Sequence, residues 1–295
     1  MRLPRTTRSA ALAASVLVLT ACGGADTGGG DAPSVADKPS FAAGSTMAKI
    51  ADAGKLRVGT KFDQPGFGLK GLSGQPEGFD VEVAKIIAGA LGVKPESIEW
   101  VESPSKVREE RIEKGEVDLV AATYTINDKR KERITFAGPY YVAGQQLMVK
   151  SDNAKIKAPE DLKANADQKV CSVTGSTPSE QIKPFLASEA QLVLFDVYNK
   201  CADALRTGQV QVVTTDNVIL LGFVSKSDKA FKLVGEQFTK EPYGIGIKKG
   251  DVKFCEFINK TLKDNEAAYN KAWADTAGKV EGASAAKLPE AAACS

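Results

Sequence analysis

The chain contains no histidine, and its apolar run at residues 10–20 is shorter than the roughly 20 residues that a membrane-spanning helix needs. Without histidine the commonest general base at neutral pH and the commonest metal ligand are missing. Histidine-dependent catalytic triads and the usual zinc sites are therefore excluded, and most hydrolase chemistries with them. A Gly-x-x-x-x-Gly-Lys-Ser/Thr loop is also absent, so any energy source must lie on a partner chain. No cofactor and no metal is expected, and no residue is assigned a catalytic role. What remains is ordinary globular composition: 295 residues, 43% of them hydrophobic, allow one large domain or two of common size with cores that need no metal. A fully disordered chain is excluded.

Arg2, Arg5 and Arg8 precede the apolar run, which ends in Leu19-Thr20-Ala21-Cys22 and the pair Gly23, Gly24. This predicts a secretion signal over residues 1–21. Its ending resembles the bacterial lipobox, which implies that Cys22 carries a lipid and becomes the mature first residue. The alternative is an ordinary signal with a chance cysteine, but no other cysteine precedes Cys171. Removing residues 1–21 takes away three arginines and no acid, leaving 36 basic groups against 37 acidic ones. The chain's apparent basicity thus belongs to the signal. Its lysines are scattered among acids, so no nucleic-acid partner is expected. Residues 22–45, rich in Gly, Ala, Ser, Asp and Pro, predict a flexible tether that holds a monomeric globule off the outer face of the cell membrane.

If Cys22 is lipidated, Cys171, Cys201, Cys255 and Cys294 remain, an even number in an exported chain. Two disulfides are expected. Four cysteines allow three pairings, and sequence alone does not choose among them. Pairing neighbours, Cys171 with Cys201 and Cys255 with Cys294, keeps each loop within one region, and each bond would add ~3–4 kcal/mol if unstrained.

From about Thr46 short β-rich runs alternate with amphipathic stretches, which argues an α/β sheet. The first set comprises 56–59, 81–91, 98–101, 105–113 and 119–122. In 81–91 the apolar positions Val81, Ala84, Ile87, Ala88 and Leu91 recur at helical spacing, and Gly92 suits a C-terminal cap. A second set spans 169–173, 177–186, 192–195, 199–207, 210–214, 216–223 and 231–234. Two lobes emerge: 46–143 with 244–281, and 144–243, leaving 282–295 as a tail. Residues 145–150 and 243–247 are the crossover candidates, with the C-terminal helical stretch 252–277 returning to the first lobe. A cleft between the lobes is the expected ligand site.

Three elements carry groups suited to recognition. In 119–133 a predicted strand carries Thr123 and Thr125 on one face, followed by a polar turn and a basic helix start with Arg130. Hydroxyls beside a guanidinium match the geometry of a carboxylate, although a surface arginine among β-favouring threonines is the blander alternative. Gly175-Ser176-Thr177-Pro178 follows a strand and begins a helix, a place that caps itself or binds an anion. Asp216, ending the run Val212-Val213-Thr214-Thr215, is either a carboxylate at a lobe edge or a helix N-cap.

Leu56-Arg57-Val58-Gly59-Thr60, Gly78-Phe79-Asp80-Val81-Glu82-Val83-Ala84, Gly115-Glu116-Val117-Asp118, Thr125-Ile126-Asn127-Asp128-Lys129-Arg130, Phe136-Ala137-Gly138-Pro139-Tyr140 and Gly175-Ser176-Thr177-Pro178 occur in this order. Jointly they are highly specific. From about Lys55 to Ala277 the chain resembles the solute-binding proteins for polar amino acids, the bilobed receptors of ABC importers. Within them it is most similar to the lipid-anchored glutamate-binding proteins of actinobacteria.

The resemblance implies the two-lobed periplasmic-binding-protein fold, type II, an α/β architecture with a sheet flanked by helices in each lobe and two crossover strands. It implies that Arg130 clamps a ligand α-carboxylate with Thr125 and Thr177, beside Ser176 at the same helix start, and that Asp216 and Thr123 hold the α-ammonium. Related binders of acidic amino acids carry cations where Lys61 and Arg108 stand. A desolvated side-chain carboxylate needs that charge, whereas a neutral amide would leave it unmatched. Glutamate or aspartate is therefore favoured over glutamine. Solvated surface charge is the alternative for Lys61 and Arg108, and neighbouring Lys106 and Arg111 receive no role. Gln64 and Pro65 stand where many relatives carry an aromatic over the ligand, leaving Phe62, Phe67 and Phe79 as candidates. The resemblance also fits a Cys171–Cys201 bond.

The expected function is capture of L-glutamate, or aspartate, for an ABC importer whose membrane and ATPase subunits are separate chains. Alternatives are a receptor for glutamine or another polar amino acid, a sensor read by a membrane kinase, and a dehydratase on the same scaffold. The dehydratase would need a cleft carboxylate such as Asp216 with a raised pKa.

Overall fold

The computed structural model describes residues 34–37 and 39–295. The expected secretion signal, Cys22 and the first part of the expected tether lie outside the described residues. Among the described residues no helix is long and apolar enough to cross a membrane.

Each lobe is built on one five-stranded sheet. In lobe 1, β1 (Leu56–Thr60) pairs in parallel with β5 (Ile98–Glu102) and β6 (Leu119–Val120), and β13 (Glu241–Lys248) runs antiparallel between β6 and β7 (Ile134–Ala143). A small antiparallel sheet of β2 (Asp63–Gln64), β3 (Gly68–Lys70) and β4 (Pro76–Glu77) follows β1. In lobe 2, β9 (Val170–Val173) lies between β10 (Leu192–Phe195) and β11 (Val212–Asp216), and β8 (Gln145–Lys150) lies between β11 and β12 (Phe231–Val234). The chain leaves lobe 1 at Gly144, directly into β8, and returns through residues 235–240 into β13. The returning segment is tied to the outgoing one, since the Gln145 N–H donates to Thr239 Oγ1 and the Phe238 N–H to the Gln145 carbonyl.

The helices cover these sheets as their apolar spacing dictates. Helix α1 (Thr46–Ala53) is capped by Ser45, and α2 (Phe79–Ala90) is buried along most of its length against α9 (Val252–Asp264) and α10 (Glu266–Asp275). The C-terminal helical stretch breaks between α9 and α10 at Asn265, whose side-chain amide donates to the Thr261 carbonyl. Two further helices, α3 (Arg108–Glu113) and α4 (Asp128–Lys131), stand at the cleft edge of lobe 1. Lobe 2 carries α5 (Asp161–Ala164), α6 (Thr177–Gln181), α7 (Tyr198–Thr207) and α8 (Asn217–Ser225). The disulfides are Cys171–Cys201, joining β9 to α7, and Cys255–Cys294, joining α9 to the C-terminus.

The tether does not extend to Ser45. The Ala36 N–H donates to the Gly89 carbonyl at 2.8 Å, and Phe41 meets Phe257 edge to face. A Cβ on Gly89 would lie 2.5 Å from the Ser34 carbonyl, so the absence of a side chain on α2 opens the groove that this segment occupies. The last residues are likewise held against lobe 1: Ala283, Ala286 and Leu288 pack on its core, and the Ala292 N–H donates to the Gly138 carbonyl.

Candidate functional site

The strand expected through Thr125 ends at Val120, and residues 121–127 form an irregular crossing at the cleft. Thr123 has φ +45°, a left-handed conformation that costs energy in a β-branched residue. Its N–H donates to Asp80 Oδ2 at 2.7 Å, and the other oxygen of that carboxylate accepts the Tyr140 hydroxyl at 2.5 Å. Buried Asp80, on the first turn of α2, thereby holds the turn that presents Thr123. Thr123 and Thr125 reach the cleft through this loop rather than as alternate residues of a strand.

Tyr124, between them, is fully buried on the opposite side. The Arg108 guanidinium lies 4.0 Å from its ring centroid and that of Arg130 5.1 Å. One aromatic ring thus supports both arginines. Arg108 Nη1 donates to the Ala122 carbonyl at 2.8 Å. Arg130 donates from Nη1 to the Thr125 carbonyl at 2.6 Å and from Nη2 across the cleft to the Gly175 carbonyl at 3.1 Å, while its Nε pairs with Glu109 at 3.3 Å. Three of its five N–H groups are engaged, and one on each terminal nitrogen remains for a ligand. Lys61, immediately after β1, is 1% exposed and donates to Ser105 Oγ at 3.0 Å. Lys61 and Arg108 are therefore interior cations and not solvated surface charge, whereas Lys106 is exposed and Arg111 pairs with Glu116.

Lobe 2 faces them with Ser176, Thr177, Tyr198, Thr215 and Asp216. Helix α6 has only five residues, so its dipole is short and hydroxyls carry the polarity there. Ser176 caps it, accepting from the Ser179 N–H and donating to the Val173 carbonyl. Thr177 Oγ1 donates to Glu241 Oε2 at 2.7 Å and lies 3.3 Å from Thr125 Oγ1. Asp216 occupies the N-cap position of α8, yet its side chain makes no cap bond. It accepts the Tyr243 hydroxyl at 2.5 Å instead.

The expected site residues Lys61, Arg108, Thr123, Thr125, Arg130, Ser176, Thr177 and Asp216 thus converge from both lobes onto one interior gap or its immediate wall. The aromatic candidates do not. Phe67 and Phe79 lie in the lobe 1 core, and Phe62 packs under the Lys70 ammonium. Tyr198, which lines the gap from lobe 2, and Tyr124, beneath the arginines, are the aromatics present. Gln64 also lines it, accepting the Thr123 hydroxyl at 3.0 Å. A larger groove of about 990 Å³ lies between the Pro65–Gly66 turn and the end of α8 and is lined by none of the buried cations. The charged gap is far smaller, about 10 Å³, and is distinguished by its buried charged groups and not by its size.

Burial sets its electrostatics. It lowers Lys61 to about 8, with the charges of Arg108 and Arg130 acting in the same direction and Asp63 opposing. It lowers Arg130 to about 10, again reinforced by Arg108. Asp216 is pushed up to about 7 by burial and then by the Glu241 charge, and Asp80 to about 7 by burial despite its two hydrogen bonds. Five buried atoms of residues lining the gap have no hydrogen-bond partner: the donors Gln64 Nε2 and Arg108 Nε, the Tyr198 and Thr215 hydroxyls, and the acceptor Asp216 Oδ1. Buried polar atoms normally find partners. Cationic donors on lobe 1 thus face a carboxylate on lobe 2 across a gap that, at about 10 Å³, is shut too tightly to admit a ligand unless the lobes part.

Sequence patterning missed the supporting residues. Asp80 sits inside a quoted motif without an assigned role, and Tyr124 falls on the core side of the assumed alternation. Glu109 and Tyr198 carried no local signal, because their parts depend on which segments the fold brings together, and Gln64 was marked only as standing where relatives carry an aromatic.

This architecture is the type II two-lobed fold of extracytoplasmic receptors, and the chain belongs to the bacterial extracellular solute-binding proteins, family 3, which it matches over residues 56–273. It is 40% identical over 271 residues, 89% of this chain and 85% of the relative, to the glutamate-binding protein GluB of Corynebacterium efficiens. It is 38% identical over 250 residues, 84% of this chain and 87% of the relative, to the ABC transporter glutamine-binding protein GlnH of Bacillus subtilis. Among solved structures it is similar to an ancestral arginine-binding protein bound to glutamine, with 38% identity, a TM-score of 0.69 and coverage of 77% of this chain and 99% of the other.

Proposed function

We propose that the chain captures L-glutamate between its lobes and delivers it to an ABC importer, held at the outer face of the cell membrane by a lipid on Cys22. The observation that carries this reading is the burial of Lys61, Arg108 and Arg130 together on lobe 1, opposite Asp216 on lobe 2. Arg130, with Thr125 and Thr177, takes the α-carboxylate, and Asp216 with Thr123 takes the α-ammonium. Lys61 and Arg108 take the side-chain carboxylate, since a desolvated anion needs paired charge. Aspartate offers the same charges on a shorter stem.

A glutamine receptor is the second reading. It is favoured by the unpartnered Gln64 Nε2, which suits a carbonyl oxygen, and by the resemblance to a glutamine-binding relative. No reaction is proposed: Asp216 has the raised pKa that a dehydratase would need, but that alone defines no reaction, and the glutamate- and glutamine-binding relatives are receptors.

Thermal unfolding of the compact unit from Pro33 onward with each of the twenty amino acids separates these readings. A ligand at a hundredfold over its Kd adds ~2.7 kcal/mol. A midpoint shift with glutamate far above glutamine supports the proposal. A shift with glutamine or basic amino acids alone overturns the assignment of Lys61 and Arg108. Co-purification of the membrane chain that docks on the closed protein distinguishes an importer from a sensor kinase.

A further inference from the structure

Asp63 is 5% exposed and belongs to β2 of lobe 1, yet its bonding partner lies in the other lobe. Its Oδ2 accepts the N–H of Tyr198, the first residue of α7, at 2.6 Å. Helix α7 has ten residues and a valine, Val197, at its N-cap position, so no side chain of its own satisfies that end. A helix start leaves free N–H groups and a partial positive charge, and a carboxylate is the group that best satisfies both.

The lobes are in intimate contact around this bond. A Cβ on Gly175 of lobe 2 would lie 2.9 Å from Cα of Lys106 in lobe 1, and one on Gly222 would lie 2.4 Å from the Pro65 carbonyl. The Asp63 bond can exist only with the lobes together, because its two partners ride on different lobes.

We infer that Asp63 is a closure latch, a cap supplied by lobe 1 to a helix of lobe 2 that forms when the cleft shuts and thereby retains the bound amino acid. The latch rests on the proposed amino-acid capture but not on which amino acid is captured, because it touches the protein on both sides. It stabilises the closed form of every complex by the same factor. A hydrogen bond to a charged group corresponds to roughly a tenfold or larger factor. The effect falls mainly on the dissociation rate, since the bond is absent until the lobes meet.

The test measures Kd and dissociation rate for glutamate and glutamine on the full chain, for wild type, Asp63→Asn and Asp63→Ala. The latch predicts faster dissociation for both ligands by a common factor, about tenfold or more for Asp63→Ala and less for Asp63→Asn, with the ligand-free unfolding midpoint unchanged. Asp63 also lies within electrostatic reach of Lys61. If that were its role, removing its negative charge would tighten glutamate and leave glutamine alone, the opposite pattern, and would overturn the latch. Equal dissociation rates in all three proteins, or a fall in the ligand-free midpoint with unchanged rates, would overturn it as well. Should wild type bind no amino acid, amino-acid capture fails, and the latch with it. Wild-type binding with indifferent Asp63 variants would refute the latch alone.

Discussion

Replacing Arg130 by lysine keeps a cation beside Glu109 but removes the planar fork. The arginine engages the Thr125 carbonyl, the Gly175 carbonyl of the opposite lobe and Glu109 at once, and still has an N–H on each terminal nitrogen for a carboxylate. A lysine ammonium has three protons on one atom and cannot satisfy partners on two lobes and grip a carboxylate with two arms. Arg130→Lys therefore loses one arm of the carboxylate pair and the bond to Gly175. Each is a hydrogen bond from a charged donor, about 1.5–3 kcal/mol, so Kd rises by ~100-fold or more. Arg130→Ala goes further: it leaves Glu109, 8% exposed, without its partner and abolishes binding, at a cost of ~3–5 kcal/mol. Titration calorimetry with glutamate and glutamine is the assay, accompanied by the ligand-free unfolding midpoint. The lysine variant should unfold close to wild type and lose affinity for both ligands by the same factor, because both carry an α-carboxylate. Affinity within about fivefold of wild type would show that the α-carboxylate lies elsewhere.

Arg108→Ala should act selectively, weakening glutamate by at least ~10-fold more than glutamine in parallel titrations, because only glutamate presents a second carboxylate; equal losses would remove Arg108 as the side-chain reader. The pH dependence has two limbs. Asp216 must be ionised to hold an ammonium, and burial places its carboxyl at about 7, so affinity for every amino acid falls as pH drops below that value, with proton release on binding. Lys61 must be protonated to hold a side-chain carboxylate and stands at about 8, so affinity for glutamate falls as pH rises above that value, with proton uptake on binding. Calorimetry in buffers of different ionisation enthalpy reads both effects, and an alkaline limb shared equally by glutamine would assign it to a group other than Lys61.

The α/β alternation was legible because strands such as 192–195 and 231–234 are short apolar runs, and α2 keeps its apolar residues at helical spacing up to Gly92. The end of β6 was not. Thr123 and Thr125 favour extended structure locally, and the distant carboxylate of Asp80 stabilises the left-handed turn that replaces it. The packed part of the tether escaped for a similar reason. Its composition lacks a core of its own, but Phe41 finds one on α9 and the bare Gly89 admits the backbone beside α2. The cations Lys61 and Arg108 could be nominated through resemblance, whereas their burial, their shared wall with Tyr124 and the pairing of Arg130 with Glu109 are products of tertiary contact.

A crystal structure of the chain with glutamate would test the proposed recognition most directly. It should place the α-carboxylate on Arg130, the α-ammonium on Asp216 Oδ1 and the side-chain carboxylate on Lys61 and Arg108. Glutamate bound in the reverse sense, or outside this gap, would contradict it.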